Sequence, residues 1–278
     1  MTYTIALAGK GGTGKTTLTA LLVKTMLGLG KQPILAIDAD PSTNLHLALG
    51  LPEPRTIGDI REEMAEDSTT DNLGVAISRV DFLNREIQLA LEESSNIDLI
   101  AMGRPEGPGC YCAVNHMLRQ LMDDLCLHYP FVVMDNEAGM EHISRRTTRD
   151  VDLLILVTDP TIRGLKAAAA MLELANNLNI AVHRSCLVLN RLAAEMPPQL
   201  EEAVQTSGLT IGAVIPADPE IGRLDAVGAP LIDVSDNSPA FISVQKFAAK
   251  YIGGAIKPRS LSSPTQLKPQ NRVPENTS

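Results

Sequence analysis

The chain has 278 residues, with 24 Lys and Arg against 33 Asp and Glu, and its net charge of −9 argues against a general affinity for nucleic acid or acidic membranes. No run approaches the roughly eighteen apolar residues of a membrane span, and the N-terminus does not have the pattern of a secretory signal, so we expect a cytoplasmic protein. Four cysteines in a chain of this length do not form a disulfide framework, so a close pair among them points to metal or redox chemistry.

Short apolar runs alternate with longer helical patterns along the chain. Strands are predicted at 4–8, 34–37, 98–102, 131–134, 153–157, 186–189 and 211–215, and helices at 15–29, 83–93, 114–127, 162–178 and 198–206. Runs such as LLILV and CLVL are apolar on both faces, which is typical of parallel strands covered by helices on either side. We therefore predict an α/β fold with a doubly wound, mostly parallel sheet and helices on both faces.

The C-terminal part of the chain divides into two kinds of sequence. The stretch SPAFISVQKFAAKYIG has only two lysines, so we interpret it as a helix docked on the domain and not as a basic membrane-binding helix. From residue 258 on, the chain is rich in Pro, Ser, Asn and Gln and cannot offset the entropy of ordering. We expect one domain over residues 1–257 and a disordered polar tail over 258–278.

The segment GKGGTGKTT, residues 9–17, follows the first predicted strand and opens the first predicted helix. It fits the phosphate-loop pattern, in which glycines turn backbone N–H groups toward phosphates and the helix N-terminus adds its positive end. Lys15 is expected to reach the β and γ phosphates, and Thr16 to ligate Mg²⁺. The predicted ATP/ADP-binding residues are Gly9, Lys10, Gly11, Gly12, Thr13, Gly14, Lys15, Thr16 and Thr17.

Acidic residues follow two of the predicted strands. Asp135 ends the strand in FVVMDNEAG and can hold the Mg²⁺ shell, while Gly139 allows backbone to approach the γ-phosphate. Asp38 and Asp40 in AIDADPSTNL could merely cap the following turn. Beside a phosphate loop, they become candidates for the Mg²⁺ second shell and for orienting the attacking water.

Lys10 directly follows the first glycine of the loop, and KGGTGKTT resembles the deviant phosphate loop of one ATPase class. The class includes the nitrogenase iron protein, the arsenite and tail-anchor targeting ATPases, and the MinD and ParA proteins. The resemblance implies that Lys10 reaches the nucleotide of a second subunit, as an arginine finger does. It also implies that Asp40 orients water, so the predicted catalytic residues are Lys10, Lys15 and Asp40.

The same resemblance extends to the nucleobase. Asn190 in LVLNR, with Pro216 and Asp218 in IPAD, resembles the adenine-binding segments of the class. Asn190 could instead be a turn residue at a strand end.

The cysteines separate into two groups. Cys126 and Cys186 lie in apolar patterns and are interpreted as small core residues. Cys110 and Cys112 follow GPG, which breaks regular structure, so both sulfurs can face one side. A tetrahedral zinc site needs four ligands at about 2.3 Å, and a two-fold homodimer would supply four where one chain supplies two. The alternative is a pair of free surface thiols.

A narrower resemblance rests on the loop together with MGRPEGPGCYCAVN and MDNEAGMEHISRRT. These segments resemble the CO dehydrogenase maturation ATPases of the CooC type over roughly residues 3–252. The resemblance implies an ATP-controlled homodimer that holds Ni²⁺, or Zn²⁺ in vitro, between paired CxC motifs. It implies carbon monoxide dehydrogenase as the client enzyme.

Other functions stay open. The related maturation factor of acetyl-CoA synthase is similar, and a MinD/ParA-like regulatory ATPase or a nickel store would carry the same loop. A nitrogenase-like reductase is disfavoured, because such proteins draw their cysteines from two well-separated positions.

His116, His142, Arg145 and Arg146 are interpreted as solvated surface residues.

Overall fold

The computed structural model describes residues 2–67, 79–104, 112–137, 150–178, 180–193 and 195–254. Several predicted features lie outside these residues: Cys110, Gly139, His142, Arg145, Arg146 and the tail at 258–278.

Within the described ranges, seven parallel strands form one sheet in the order β3-β2-β4-β1-β5-β6-β7. The strands are β1 (Tyr3–Ala8), β2 (Ile34–Ala39), β3 (Ile97–Ala101), β4 (Phe131–Asn136), β5 (Asp150–Thr158), β6 (Ala181–Leu192) and β7 (Ile211–Pro216). Each of the seven predicted strands is present, and the predicted fold class is confirmed. The apolar runs were informative because a parallel strand buried on both faces has little polar sequence.

The described helices are α1 (Lys15–Gly28), α2 (Leu45–Leu49), α3 (Ile57–Asp67), α4 (Arg79–Ala90), α5 (Cys112–Leu127), α6 (Ile162–Asn177), α7 (Pro198–Ser207), α8 (Pro219–Ala226) and α9 (Pro239–Tyr251). The sequence did not predict α2, α3 or α8. The first and last of these have five and eight residues, too few for a clear helical period. The pair Asp218–Pro219 is nevertheless a start signal for α8, with Asp218 as its N-cap.

Successive strand residues face two separate apolar layers. In β1, Ala6 and Ala8 belong to the layer that α3, α4, α5, α6 and α7 cover. Ile5 and Leu7 belong to the opposite layer, which α1, α2 and α9 cover. The alternation follows from the two-residue period of a strand and gives the sheet helices on both faces.

The strand order brings the site residues to one edge of the sheet. In the sheet, β2, β3 and β4 lie on one side of β1, and β5, β6 and β7 lie on the other side. The chain therefore crosses from one side of β1 to the other when it passes from β4 to β5. Ligands of open parallel sheets bind beyond the carboxyl ends of the strands at such a switch point. The register pairs Asp38 in β2 with Asp135 in β4. The loop after β1 therefore lies beside two aspartates that are far apart in sequence.

The last described helix, α9, is part of the domain core, as the sequence predicted. It packs against α1 and β7, and Phe241, Val244 and Phe247 are among its buried residues. The Lys24 ammonium of α1 lies 4.6 Å from the centroid of the Phe241 ring.

Among the described residues, no helix combines the length and the apolar character that a bilayer crossing requires.

Replacing Phe241 tests how much α9 contributes to the core. The Phe241 side chain is 2% exposed. We expect Phe241→Ala to lower the free energy of unfolding by about 3 to 5 kcal/mol, because it removes a buried ring and its contacts. Ile242→Ala is the matched control at the next position, since that side chain is 36% exposed, and its cost should stay below about 1 kcal/mol. Urea unfolding would measure both, and equal small losses would contradict a core role for α9.

Candidate nucleotide-binding site

The loop between β1 and α1 depends on its glycines for two different reasons. Gly12 and Gly14 have φ angles of 80° and 86°, in the left-handed region that favours glycine. Gly9 has no such angle, but a Cβ there would lie 2.1 Å from the carbonyl oxygen of Val157 in β5. Contact with β5 therefore fixes the start of the loop, and backbone conformation fixes its end.

The loop ends at a helix N-terminus that is open to an anion. Gly14 is the N-cap of α1, with no side-chain cap, and the first turn has no acidic residue. The first N–H groups of this 14-residue helix have no partner within the helix, and its dipole favours negative charge. Lys15 is buried, and its Nζ lies 3.5 Å from the carbonyl oxygen of Lys10. The Lys10 side chain is exposed.

Thr16 and Asp135 form the arrangement expected at a Mg²⁺ site. The Thr16 hydroxyl donates a hydrogen bond of 2.5 Å to Oδ2 of Asp135. Asp135 is 1% exposed, and its other oxygen, Oδ1, has no hydrogen-bond partner among the described residues. A buried carboxylate oxygen without a partner is costly unless a cation takes it up. The residues present therefore fit a small divalent ion, which prefers oxygen ligands.

The electrostatics of Asp135 lead to the same conclusion. Burial raises the pKa of Asp135 to about 7. The Thr16 hydrogen bond and the charge of Lys15 oppose the rise, whereas Asp38 and Asp40 add to it. The carboxylate is therefore only partly ionised at neutral pH, and a further positive charge beside it would favour the ionised form.

Asp38 lies beside Asp135, but both of its oxygens already accept hydrogen bonds. Oδ2 accepts from the N–H of Leu45, at the start of α2, at 2.8 Å, and Oδ1 accepts from the N–H of Asp40 at 3.1 Å. Burial raises the pKa of Asp38 to about 6. This geometry suits a group behind the ion better than a direct ligand.

Asp40 lies in a turn at the edge of the same site. Its Oδ1 accepts hydrogen bonds from both the backbone N–H and the hydroxyl of Ser42. The sequence offered turn capping as one alternative for Asp40, and the structure shows that contact. Orienting a water molecule would require the carboxylate to exchange one of these bonds.

A cavity of about 360 Å³ adjoins the loop, and Asn190, Arg191, Pro216 and Asp218 are among its lining residues. The volume is in the lower range for small-molecule sites. Thr17, Leu18 and Leu21 of α1 also line the cavity, so it lies beside the helix that the loop opens.

Two polar side chains of this cavity, those of Asn190 and Asp218, are hydrogen-bonded to protein groups. Asn190 donates through Nδ2 to the carbonyl oxygen of Thr13 at 2.8 Å. Asp218 accepts from the N–H of Glu220 at 2.9 Å and from the hydroxyl of Ser238 at 2.6 Å. Asp218 therefore joins the starts of α8 and α9, a function that the sequence prediction of a nucleobase contact did not include.

The sequence reasoning also missed one residue at this site. Arg191 donates through Nη1 to the carbonyl oxygen of Gly12 at 3.1 Å. Its position directly after Asn190 was the only sequence signal, and no local pattern indicates that its side chain contacts the loop.

Two of the described cysteines lie in the core, as the sequence predicted. Cys126 and Cys186 are buried, and burial raises the pKa of each thiol to about 12. Both are therefore protonated and unreactive at neutral pH. Cys112 is the first residue of α5, which follows the edge strand β3. His116 is exposed on α5.

Stability should depend on pH through Asp135. Its pKa in the folded chain, about 7, lies above the ordinary value of 3.8, so the folded protein keeps a proton that the unfolded chain releases between about pH 4 and 7. Without divalent cation, the free energy of unfolding should therefore fall as pH rises through that interval. Asp135→Asn should reduce the fall by about 2 to 4 kcal/mol, since each pKa unit corresponds to about 1.4 kcal/mol.

The measurement is urea unfolding at pH 5 and pH 8 in a chelating buffer. The control is Asp236→Asn, which removes a carboxylate that is 82% exposed and should leave the pH dependence nearly unchanged. An equal pH dependence in wild type and Asp135→Asn would contradict the assignment.

The comparisons with known proteins agree with this geometry. Residues 4–231 match the family model of the CobQ/CobB/MinD/ParA nucleotide-binding domain. An uncharacterised ATP-binding protein from Methanocaldococcus jannaschii is 41% identical over 248 residues, covering 89% of this chain and 98% of that protein. The carbon monoxide dehydrogenase accessory protein CooC from Rhodospirillum rubrum is 33% identical over 245 residues, covering 83% and 90% of the two chains.

Solved structures show the same fold. The septum site-determining protein MinD from Pyrococcus horikoshii, complexed with Mg-ADP, superposes with a TM-score of 0.62 at 24% identity, covering 90% of this chain and 96% of that one. The family match over residues 4–231, together with the 41% identical ATP-binding relative, shows that the chain belongs to the CobQ/CobB/MinD/ParA family of nucleotide-binding proteins and is an ATPase of the MinD/ParA type.

Proposed function

We propose that the chain is an ATP-dependent metallochaperone: a homodimer that binds Ni²⁺ through Cys110 and Cys112 of both subunits and aids nickel insertion into carbon monoxide dehydrogenase. The observation that carries the proposal is the similarity to the CooC accessory protein over nine-tenths of that protein's length. The CxC motif at residues 110–112 supplies the chemistry that such a function needs.

The described residues suit ATP hydrolysis in stated roles. Thr16 and Asp135 would hold Mg²⁺, and Asp38 would lie behind them. The ion supplies charge neutralisation of the transferring phosphoryl group. Lys15 would exchange its contact with the Lys10 carbonyl oxygen for the β and γ phosphates, and N–H groups at the start of α1 would bind the same oxygens. ADP and ATP would share the cavity beside Asn190.

Lys10 and Asp40 would complete the site when two subunits meet. The Lys10 side chain is exposed beside the loop, where it can reach a neighbouring molecule. A cation from a partner would stabilise the charge of the transition state, and Asp40 would orient water after releasing Ser42. Hydrolysis would then depend on dimerisation.

Backbone contacts support a connection between the nucleotide site and the cysteine motif. The N–H of Met102, directly after β3, donates to the carbonyl oxygen of Asp38 at 2.8 Å. The chain that leaves β3 here reaches Cys110 eight residues later. Thiolate ligation of structural zinc in peptides is worth about 10 to 16 kcal/mol, so metal release would require a change in the thiolate geometry.

The two lysines of the loop should differ in their effects. We expect Lys10→Ala to keep ATP affinity within a few-fold but to lower the rate of hydrolysis by about 10³-fold or more, the order of magnitude for a cation supplied in trans. Lys15→Ala should weaken ATP binding itself, because Lys15 contacts the phosphates directly.

Equilibrium binding of a fluorescent ATP analogue and steady-state phosphate release would separate the two steps. The rate per wild-type subunit should rise with protein concentration as dimers form. A wild-type rate in Lys10→Ala, or a rate per subunit independent of concentration, would contradict a shared site.

Metal analysis tests the nickel site. Gel-filtered protein with Ni²⁺ and ATP should hold one ion for every two chains, because each chain supplies two of four thiolates. A Cys110→Ser/Cys112→Ser double variant should hold none. The matched control is Cys126→Ala/Cys186→Ala, which removes the two buried thiols and should keep the ion.

The client and the direction of transfer need a separate assay. Nickel-loaded protein should activate nickel-free carbon monoxide dehydrogenase in an ATP-dependent manner. Activation of nickel-free acetyl-CoA synthase instead would assign the protein to that related enzyme. Unchanged nickel retention during ATP turnover would count against a role for hydrolysis in release.

A second candidate is a MinD/ParA-like regulatory ATPase, which the fold of the solved MinD structure favours. Its signature would be ATP-dependent binding of a partner protein with no metal in the dimer. Most apolar side chains of α9 are buried in the domain, so this helix does not offer an apolar face to a membrane.

A further inference from the structure

The end of β6 contacts the phosphate loop through two consecutive side chains. Asn190 donates to the carbonyl oxygen of Thr13 at 2.8 Å, and Arg191 donates to the carbonyl oxygen of Gly12 at 3.1 Å. Consecutive residues of a regular strand point to opposite faces, so two neighbours should not both reach the same loop.

An irregularity in β6 explains how they do. Arg191 has a φ of 62°, in the left-handed region that non-glycine residues rarely adopt. The pairing of β6 with β7 shifts register between Leu189 and Leu192, which brackets this residue. Such bulges re-aim a side chain, and here the bulge turns the Arg191 guanidinium toward the loop. Strained conformations of this kind are a reason to look for a function.

The contact with the loop is close. A Cβ at Gly14 would lie 2.4 Å from Nδ2 of Asn190 and 3.3 Å from Nη2 of Arg191. Both side chains thus lie against the residue that caps α1, as well as against the two carbonyl groups before it.

The bonds to these two carbonyl groups orient the backbone N–H groups of the loop. In a trans peptide, the carbonyl oxygen and the next N–H point in opposite directions. Holding the oxygens of Gly12 and Thr13 toward β6 therefore turns the N–H groups of Thr13 and Gly14 away from β6. The N–H of Thr13 donates to the carbonyl oxygen of Lys10 at 3.3 Å, so this bond and Arg191 hold the Gly12–Thr13 peptide from both sides and fix the turn that precedes the N–H of Gly14. The orientation of such N–H groups is what makes a glycine-rich loop an anion site.

We propose that Arg191 is a positioning residue of the phosphate loop, which binds the Gly12 carbonyl oxygen and so holds the loop in its phosphate-binding conformation. The proposal concerns the nucleotide site alone and is independent of nickel binding. Arg191 also lines the adjoining cavity, so a direct contact with the nucleobase is the alternative role that the test must separate from loop positioning.

The test variant is Arg191→Gly, because glycine accepts the positive φ and the variant should fold. Calorimetry would measure the binding of MgATP and of magnesium tripolyphosphate, a ligand without a nucleobase. We expect both affinities to fall by the same factor, about tenfold, the order of magnitude for one hydrogen bond from a charged donor. Arg223→Ala removes an exposed arginine from α8 and should change neither affinity.

Amide hydrogen exchange without nucleotide separates loop positioning from a direct phosphate contact. In Arg191→Gly, exchange at residues 11–16 should become faster, whereas a residue that only touches phosphate would leave it unchanged. Arg191→Lys keeps one donor and should show a smaller change in the same direction. Each of three results for Arg191→Gly would overturn the proposal. The first is weaker binding of MgATP with unchanged binding of magnesium tripolyphosphate, the second is unchanged hydrogen exchange at residues 11–16, and the third is unchanged affinity for both ligands.

Discussion

The position of β1 between β4 and β5 is the constraint on which the rest of the structure depends. This central strand is buried on both faces, and its carboxyl end carries the phosphate loop. Parallel pairing with β4 places Leu7 opposite Asp135, and contact of Gly9 with Val157 fixes the loop on β5. The start of the glycine-rich segment is therefore held by the neighbouring strands β4 and β5, whereas its end depends on its own backbone conformation.

The same pairing concentrates negative charge at one edge of the sheet. Asp38 and Asp135 are each 1% exposed and are register partners on the neighbouring strands β2 and β4. Burying two neighbouring carboxylates opposes folding unless a cation or a proton compensates them. Lys15 and the start of α1 lie close enough to contribute, and Oδ1 of Asp135, which has no hydrogen-bond partner within the described part of the chain, leaves one coordination direction for an ion. The pair of carboxylates that we propose to lie at the Mg²⁺ site is thus brought together by the assembly of the sheet.

Much of this arrangement was predictable from local sequence. The strands were found because each is a short, continuous apolar run, and the loop because its spacing reflects a backbone requirement. Asp218 and Arg191 make contacts that local sequence patterns do not predict. The local pair Asp218–Pro219 indicates a helix start, but the contact with Ser238 depends on a helix twenty residues away. The contact of Arg191 depends on a bulge between β6 and β7, and the pairing of strands is not encoded in any single segment. α2 and α8 were missed because tertiary contacts stabilise helices too short to show a period.

The connection from α5 to β4 has a geometric consequence for the cysteine motif. α5 begins at Cys112 and ends at Leu127, four residues before β4, whose last residues include Asp135. The helix runs antiparallel to the strand that follows it, so the beginning of the helix and the end of the strand lie at the same edge of the sheet. The start of α5 at Cys112 and the carboxylate of Asp135 therefore lie on the same side of the domain, and a nucleotide bound beyond β4 would share that side with the beginning of this helix.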